Sequence, residues 1–297
     1  MAFACIDIGS NTTRLLVAEA AGSHFKEVLQ QRTFTRIAKG RRRGEPIAAA
    51  KIAEVAEVVA TQVRVAHECG AHAVRAVATA AIRQAANGDE LVAAIRSAAD
   101  VDVAVLTGEE EARLAFLGAI KTLGHKPEGE IAVVDVGGGS SELALGTTAE
   151  GVSWSESFRV GSGYLADAYV RSDPPSVAEL NAVRAHVTGV FEGLEVRTPR
   201  LAVAVGGSAA SLRRLIGAVL EHETLERGIR VLASTPVEEV ARRFELDPER
   251  VRLLPAGILI LEAVSDRLGV PLQVGRGGLR EGVVLEMIAA DGSRRGG

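Results

Sequence analysis

Apolar runs alternate with short polar turns from the first residues of the chain. Ala4-Cys5-Ile6 leads into Asp7 and Ile8. Gly9-Ser10-Asn11-Thr12-Thr13 follows, and after Arg14 a second apolar run extends from Leu15 to Ala18. Two apolar runs flanking a short polar turn predict a β-hairpin. The order returns in the second half. Ile131-Ala132-Val133-Val134-Asp135-Val136 runs into Gly137-Gly138-Gly139-Ser140-Ser141 and leaves through Glu142 and Leu143-Ala144-Leu145. In both copies an aspartate stands two residues before the first glycine. The chain therefore carries a weak internal duplication, one copy in each half.

The pattern between the copies predicts alternating strands and helices. Phe25 to Ile37 reads as extended. Ile52, Val55, Val58, Val59, Val63 and Ala66 give the stretch from Ile47 to Cys69 a helical period. Ala73 to Thr79 reads as a strand, and Ala80 to Ala86 as a helix stopping near Asn87-Gly88. Asp89 is placed to cap a helix reaching Ala99, and Val101 to Leu106 is again a strand. Thr107/Glu110, Ser176/Glu179 and Thr235/Glu238 have the spacing of capping boxes, in which a hydroxyl and a carboxylate satisfy each other's backbone N–H groups. Leu201 to Leu212 reads as strand, double glycine, helix. A last helix of about ten residues follows Gly282, and 293–297 form an unstructured tail. Strands alternating with helices imply an α/β fold. The glycines and proline between Lys121 and Glu130 suggest a linker, giving domains at 1–122 and 123–280.

Composition narrows the function. The 297 residues suffice for two domains. Aromatics make up only 3% and net charge is −4, so a base-stacking nucleic-acid binder is not expected. Two cysteines give neither a disulfide framework nor a zinc pattern. The chain enters a strand within three residues and has no apolar run long enough for a bilayer. A cytoplasmic protein without membrane partners is the expectation.

The glycine turns carry the candidate chemistry. Backbone without Cβ lets a ligand come close, and successive N–H groups form a concave anion site. Gly9, Ser10, Asn11, Thr12, Gly137, Gly138, Gly139, Ser140, Ser141, Gly206, Gly207 and Ser208 are therefore candidate phosphate contacts. Arg14 and Arg83 are candidate clamps, because a guanidinium matches the oxyanion fork. Asp135 and Glu142, on the two arms of one hairpin, could hold Mg²⁺ or Mn²⁺, with Asp7 as a further metal-directed carboxylate. Glu111 falls on a helical stripe with Leu114, Ala115 and Gly118, an apolar setting that is costly for a carboxylate without a purpose. The small neighbours leave room for something to approach it. Glu109 and Arg113 are spaced to pair on another face. The basic run Arg41-Arg42-Arg43 reads either as solvated surface or as a guide for a phosphate chain.

Together these stretches resemble the exopolyphosphatase/guanosine pentaphosphate phosphohydrolase family, within the actin-like, sugar-kinase and heat-shock ATPase superfold. The matching segments are Ile6–Asn11 with Arg14-Leu15, Ala78–Gly88, Gly108–Leu114, Val134–Leu143 and Gly278–Gly282, in the family order. The resemblance implies two ribonuclease-H-like domains with an interdomain cleft, and a last helix, about 281–291, that packs back onto the first domain. It implies Glu111 as general base, Asp135 and Glu142 as metal ligands, and a homodimer. The implied substrate is inorganic polyphosphate or guanosine pentaphosphate, losing a terminal phosphate. A kinase of the same superfold and a non-catalytic sensor of polyphosphate or alarmone are the competing classes. Some positions depart from the family. Ala81 stands at a common hydroxyl position and Ser208 at a frequent threonine. Gly161–Leu165 lacks a basic residue often found there, and the family's C-terminal nucleotide-hydrolase-like extension does not follow. Short polyphosphate is the expected preference.

Overall fold

A computed structural model describes residues 1–22 and 24–295. In chain order the first elements are β1 (Ala2–Ile8), β2 (Thr13–Ala21), β3 (His24–Thr33), α1 (Ala49–Glu68), β4 (Ala71–Ala78), α2 (Ala80–Arg83), α3 (Gly88–Ala99), β5 (Val103–Val105) and α4 (Gly108–Lys121). There follow β6 (Ile131–Val136), β7 (Ser141–Thr147), β8 (Gly151–Phe158), α5 (Ser162–Tyr169), α6 (Val177–Val190), β9 (Leu201–Val205), α7 (Gly206–Ile216), β10 (Val219–Leu220) and α8 (His222–Ser234). The chain ends with α9 (Val237–Phe244), α10 (Pro248–Val251), α11 (Leu254–Leu268), β11 (Leu272–Val274) and α12 (Leu279–Arg295). Residues 1–121 and the segment from Gly277 onward form one compact unit, and residues 122–276 a second. No helix among the described residues is long and apolar enough to cross a membrane.

The duplication extends from hairpin to sheet. The first unit holds a five-stranded sheet in the order β3-β2-β1-β4-β5, the second a six-stranded sheet in the order β10-β11-β9-β6-β7-β8. In each, an antiparallel meander (β1-β2-β3, β6-β7-β8) continues into parallel strands through helical crossovers. Strands covered on both faces must be apolar on both, which is why β1 and β6 read as continuous hydrophobic runs.

The period of two along β1 decides where its aspartate goes. Ala2, Ala4, Ile6 and Ile8 pack in the core with α1 residues Ile52, Val55, Val59 and Val63. Phe3 and Cys5 point to the other face, where Leu114 of α4 and Val283 and Val284 of α12 close over them. Asp7 follows Phe3 and Cys5 onto that face. Cys5 is fully buried, and burial pushes its thiol pKa up, which makes it an inert small hydrophobe.

Helices α4 and α12 touch almost backbone to backbone. A Cβ on Gly118 would collide with the carbonyl of Gly278, and one on Gly282 with that of Leu114. The small-residue stripe beside Glu111 is thus filled by α12, so the space expected there for a ligand belongs to a helix. Gly118→Ala should force the pair apart and destabilise the protein by about 1–3 kcal/mol, the usual effect of overpacking. Denaturant unfolding measures this, and wild-type stability would show that the helices part freely.

Several local expectations change. The predicted cap at Asp89 is not used: α3 starts at Gly88, and Asn87 precedes it without a side-chain cap, because its amide is engaged by the backbone of Ile47. The Ala80–Ala86 helix shrinks to the four residues of α2. The Thr107/Glu110 and Ser176/Glu179 boxes form as expected. The Thr235/Glu238 box does not: α9 starts at Val237 with Pro236, which has no hydroxyl, in the capping position, and Thr235 closes α8. The Val237 N–H is satisfied instead by Asp173 Oδ1 at 2.9 Å. Arg113 pairs with Glu286 of α12 at 2.6 Å rather than with Glu109. The last helix is 17 residues long, so 293–295 belong to it; 296–297 lie outside the described residues.

Candidate active site

In the first unit, Asp7 and Arg14 face each other across the β1–β2 register, one pair from the turn that closes the hairpin. Gly9 N–H closes the turn on the Thr12 carbonyl at 3.0 Å. The carbonyls of Ser10 and Asn11 accept from Ala38 and Arg36, each at 3.0 Å. In a trans peptide the N–H points opposite to the C=O, so the amides of Asn11 and Thr12 face away from the 36–38 segment. Ser10 and Thr12 are buried. The Asn11 amide nitrogen and Asp7 Oδ1 are buried without a hydrogen-bond partner. Burial pushes the Asp7 pKa up; the charges of Arg14 and Arg280 pull it down, and Glu281 adds to the rise. Arg14 therefore sits where it offsets a desolvated carboxylate.

Glu111 lies one turn into α4, 6% exposed. The Thr107/Glu110 box fixes the start of that helix, and the Glu111 N–H donates to the Thr107 carbonyl at 3.0 Å. The guanidinium of Arg83, at the end of α2, donates both to Glu111 Oε1 and to the Leu106 carbonyl. Arg83, expected as a phosphate clamp, thus also holds the proposed base.

In the second unit, Asp135 and Glu142 are direct partners in the β6–β7 register. Glu142 is buried and accepts from the Ser157 hydroxyl at 2.9 Å. Gly137 N–H closes its turn on the Ser140 carbonyl at 3.0 Å, as Gly9 does in the first copy. The Gly137 and Gly138 carbonyls accept from the start of α5, the N–H groups of Ser162 and Tyr164 at 2.9 Å. By the same peptide geometry, the N–H groups of Gly138 and Gly139 face away from α5. Ser140 is buried in this turn. Ser141 departs from its expected role: its hydroxyl donates to the Val160 carbonyl at 2.7 Å and has no proton left for a phosphate oxygen.

The third glycine turn converges on the same carboxylate. Gly206 has φ +85°, and a Cβ there would run into Asp135 Oδ1, so glycine is required twice over. It opens α7, whose first N–H groups offer an anion site. Ser208 is buried, pressed against Gly257. Gly207 lies under the guanidinium of Arg250, 7% exposed, and a Cβ would clash with it. Sequence reading missed Arg250: it sits in a short helix of ordinary composition, and only the fold brings it 43 residues back to the glycine turn.

Among the described residues no three His, Cys, Asp or Glu side chains gather as a metal cage. Asp135 and Glu142 pair in the second unit, and Asp7 belongs to the first. Two carboxylates beside glycine turns suit Mg²⁺, which keeps several waters and takes few protein ligands.

Comparison with known proteins gives the family and the fold. The sequence model of the Ppx/GppA phosphatase family matches residues 16–290. Exopolyphosphatase 1 of Mycobacterium leprae is 28% identical over 313 residues, spanning 99% of this chain and 92% of that protein. The crystal structure of the Aquifex aeolicus Ppx/GppA family member superposes with a TM-score of 0.82 at 27% identity, covering 98% of both chains. An exopolyphosphatase from Cytophaga hutchinsonii shares the fold with a TM-score of 0.87 at 21% identity, again over 98% of both chains. The α/β fold with two actin-like domains is that of these structures. This chain belongs to the Ppx/GppA phosphatase family.

Proposed function

We propose that this phosphatase is an exopolyphosphatase that releases the terminal phosphate of inorganic polyphosphate, with short chains preferred. The observation that carries the reading is a buried carboxylate, Glu111, held by an arginine, Arg83, at the start of α4. In this reading Glu111 takes the proton from the attacking water, a task for a positioned carboxylate. Arg83 orients Glu111 and turns to the phosphate oxygens when substrate arrives. The N–H groups of Asn11 and Thr12, those of Gly138 and Gly139, and the start of α7 grip bridging and terminal oxygens. Arg14 and Arg250 neutralise charge that builds on the phosphates in flight. Asp135 and Glu142 would hold Mg²⁺, or Mn²⁺, and Asp7 would be a further metal-directed carboxylate. The cation would supply charge neutralisation on the phosphate oxygens. The family resemblance adds a homodimer.

The test is phosphate release by purified protein from polyphosphates of defined length and from guanosine pentaphosphate, with Mg²⁺ and with chelator. Release from polyphosphate, fastest on short chains and lost in chelator, is the expected result. Release from guanosine pentaphosphate alone, or tight polyphosphate binding without release, would overturn the reading in favour of the nucleotide hydrolase or the sensor.

A further inference from the structure

The basic run between β3 and α1 has a different structure from a solvated guide. Residues 34–48 form a strap joining two functional segments of the first unit. At its start, the Thr35 and Thr13 hydroxyls meet at 3.1 Å, and the Arg36 and Ala38 amides donate to the carbonyls of Asn11 and Ser10. Those carbonyls belong to the first glycine turn. At its end, Gly44 N–H donates to the Gln84 carbonyl at 3.0 Å, and Asn87 makes both amide contacts with Ile47, at 2.7 and 3.0 Å. Those contacts fall just after Arg83 in the chain. Between the two anchorages, one side chain crosses. Arg41 donates to the Glu45 carbonyl of the strap and to the Ala81 carbonyl of α2, each at 2.6 Å. The strap turns through left-handed backbone at Arg36, Gly40 and Gly44, with φ of 49°, 69° and 78°.

We infer that Arg41 is a positioning residue: by clasping the Ala81 carbonyl it fixes α2 relative to the first glycine turn and so sets the contact of Arg83 with Glu111. The inference rests on the roles of Glu111 and Arg83 proposed above. Ala81 is two residues before Arg83, and α2 is a single turn: the Ala85 N–H, which would reach Ala81 in a longer helix, donates to Ile82, so the Ala81 carbonyl takes an outside donor. Only a guanidinium has the fork to reach two carbonyls at once. Arg42 and Arg43 differ, for both are exposed. The triple-arginine run thus divides into one clasp and two surface charges. Mere charge at position 41 is not enough in this account: a lysine ammonium is a single point on a flexible stem.

The experiment measures kcat and KM on short and long polyphosphate for wild type, Arg41→Lys, Arg41→Ala, Arg83→Ala and the Arg41→Ala/Arg83→Ala double variant. Arg41→Lys and Arg41→Ala should each lower kcat by about 10-fold, since a small misplacement of catalytic groups is enough for that. The ratio of KM for long and short chains should stay at the wild-type value. The double variant should be no slower than Arg83→Ala alone, because a residue acting through another adds nothing once that other is gone. Arg42→Ala and Arg43→Ala should leave kcat within about 2-fold, the mark of exposed charge. Wild-type kcat in Arg41→Lys, a KM rise that grows with chain length, or additive losses in the double variant would each overturn the inference. Amide exchange over 80–87 gives an independent reading: it should quicken in Arg41→Lys, and unchanged protection counts against the clasp. If wild type releases no phosphate, the functional reading fails, and amide exchange still decides whether Arg41 holds α2.

Discussion

Glu111→Gln is expected to lower phosphate release by about 10²- to 10⁴-fold, the range for loss of a general base. The substitution keeps the shape of the side chain and an oxygen for Arg83 and removes only the ability to take a proton. A fall confined to kcat, with KM near wild type, identifies a group that acts on the water and leaves the phosphates to others. Arg83→Lys makes the complementary case. It keeps the charge and loses the guanidinium, whose Nη1 reaches Glu111 and the Leu106 carbonyl while its other nitrogens stay available to phosphate oxygens, so it should lower kcat and raise KM together. Circular dichroism guards against misfolding, because Glu111 lies under α12 and a polar swap there is felt by the helix pair. Turnover of Glu111→Gln within about tenfold of wild type would remove Glu111 from the reaction.

How much of this was legible beforehand depends on the reach of each interaction. The two hairpins were visible because an aspartate, a glycine turn and flanking aliphatics are local, and sheet register then places Asp135 opposite Glu142 without further information. The Thr107 and Ser176 boxes were visible for the same reason. Thr235 failed because α9 starts only at Val237, which puts Pro236, without a hydroxyl, in the capping position. Glu111 stood out as a carboxylate on an apolar stripe, yet the explanation of the small residues beside it was wrong. Gly118 is small because α12 arrives there from more than 150 residues further along the chain, and no pattern within α4 announces that. Arg41 and Arg250 were missed as individuals for one shared reason. Their partners are backbone groups, the Ala81 carbonyl and the Gly207 turn, and a backbone atom leaves no mark in the residue string.

Asp7→Asn should show two effects of opposite sign. Asp7 lies on the α4–α12 face with Oδ1 buried and lacking any hydrogen-bond partner, and burial holds its pKa above the ordinary value of 3.8 despite Arg14 and Arg280. A carboxylate kept charged there at neutral pH costs stability, and the amide removes that cost. The substitution is therefore expected to raise stability by on the order of 1 kcal/mol, within the range of single stabilising changes. The sign with pH follows. The folded state binds the Asp7 proton more tightly than the unfolded chain, so the cost is present above the raised pKa. It fades as pH falls through that value and is gone below 3.8, where both states are protonated. The stability gap between variant and wild type, measured in chelator, should thus close on acidification. Activity should move the other way. If Asp7 directs the water shell of a bound cation beside the first glycine turn, its loss should lower phosphate release by about 10²-fold, the scale on which metal-site partners act. A variant that is both more stable and as active as wild type would make Asp7 a tolerated burial with no part in the chemistry. A variant that loses stability at pH 7 would mean that Arg14 and Arg280 depend on its charge more than the charge suffers from burial.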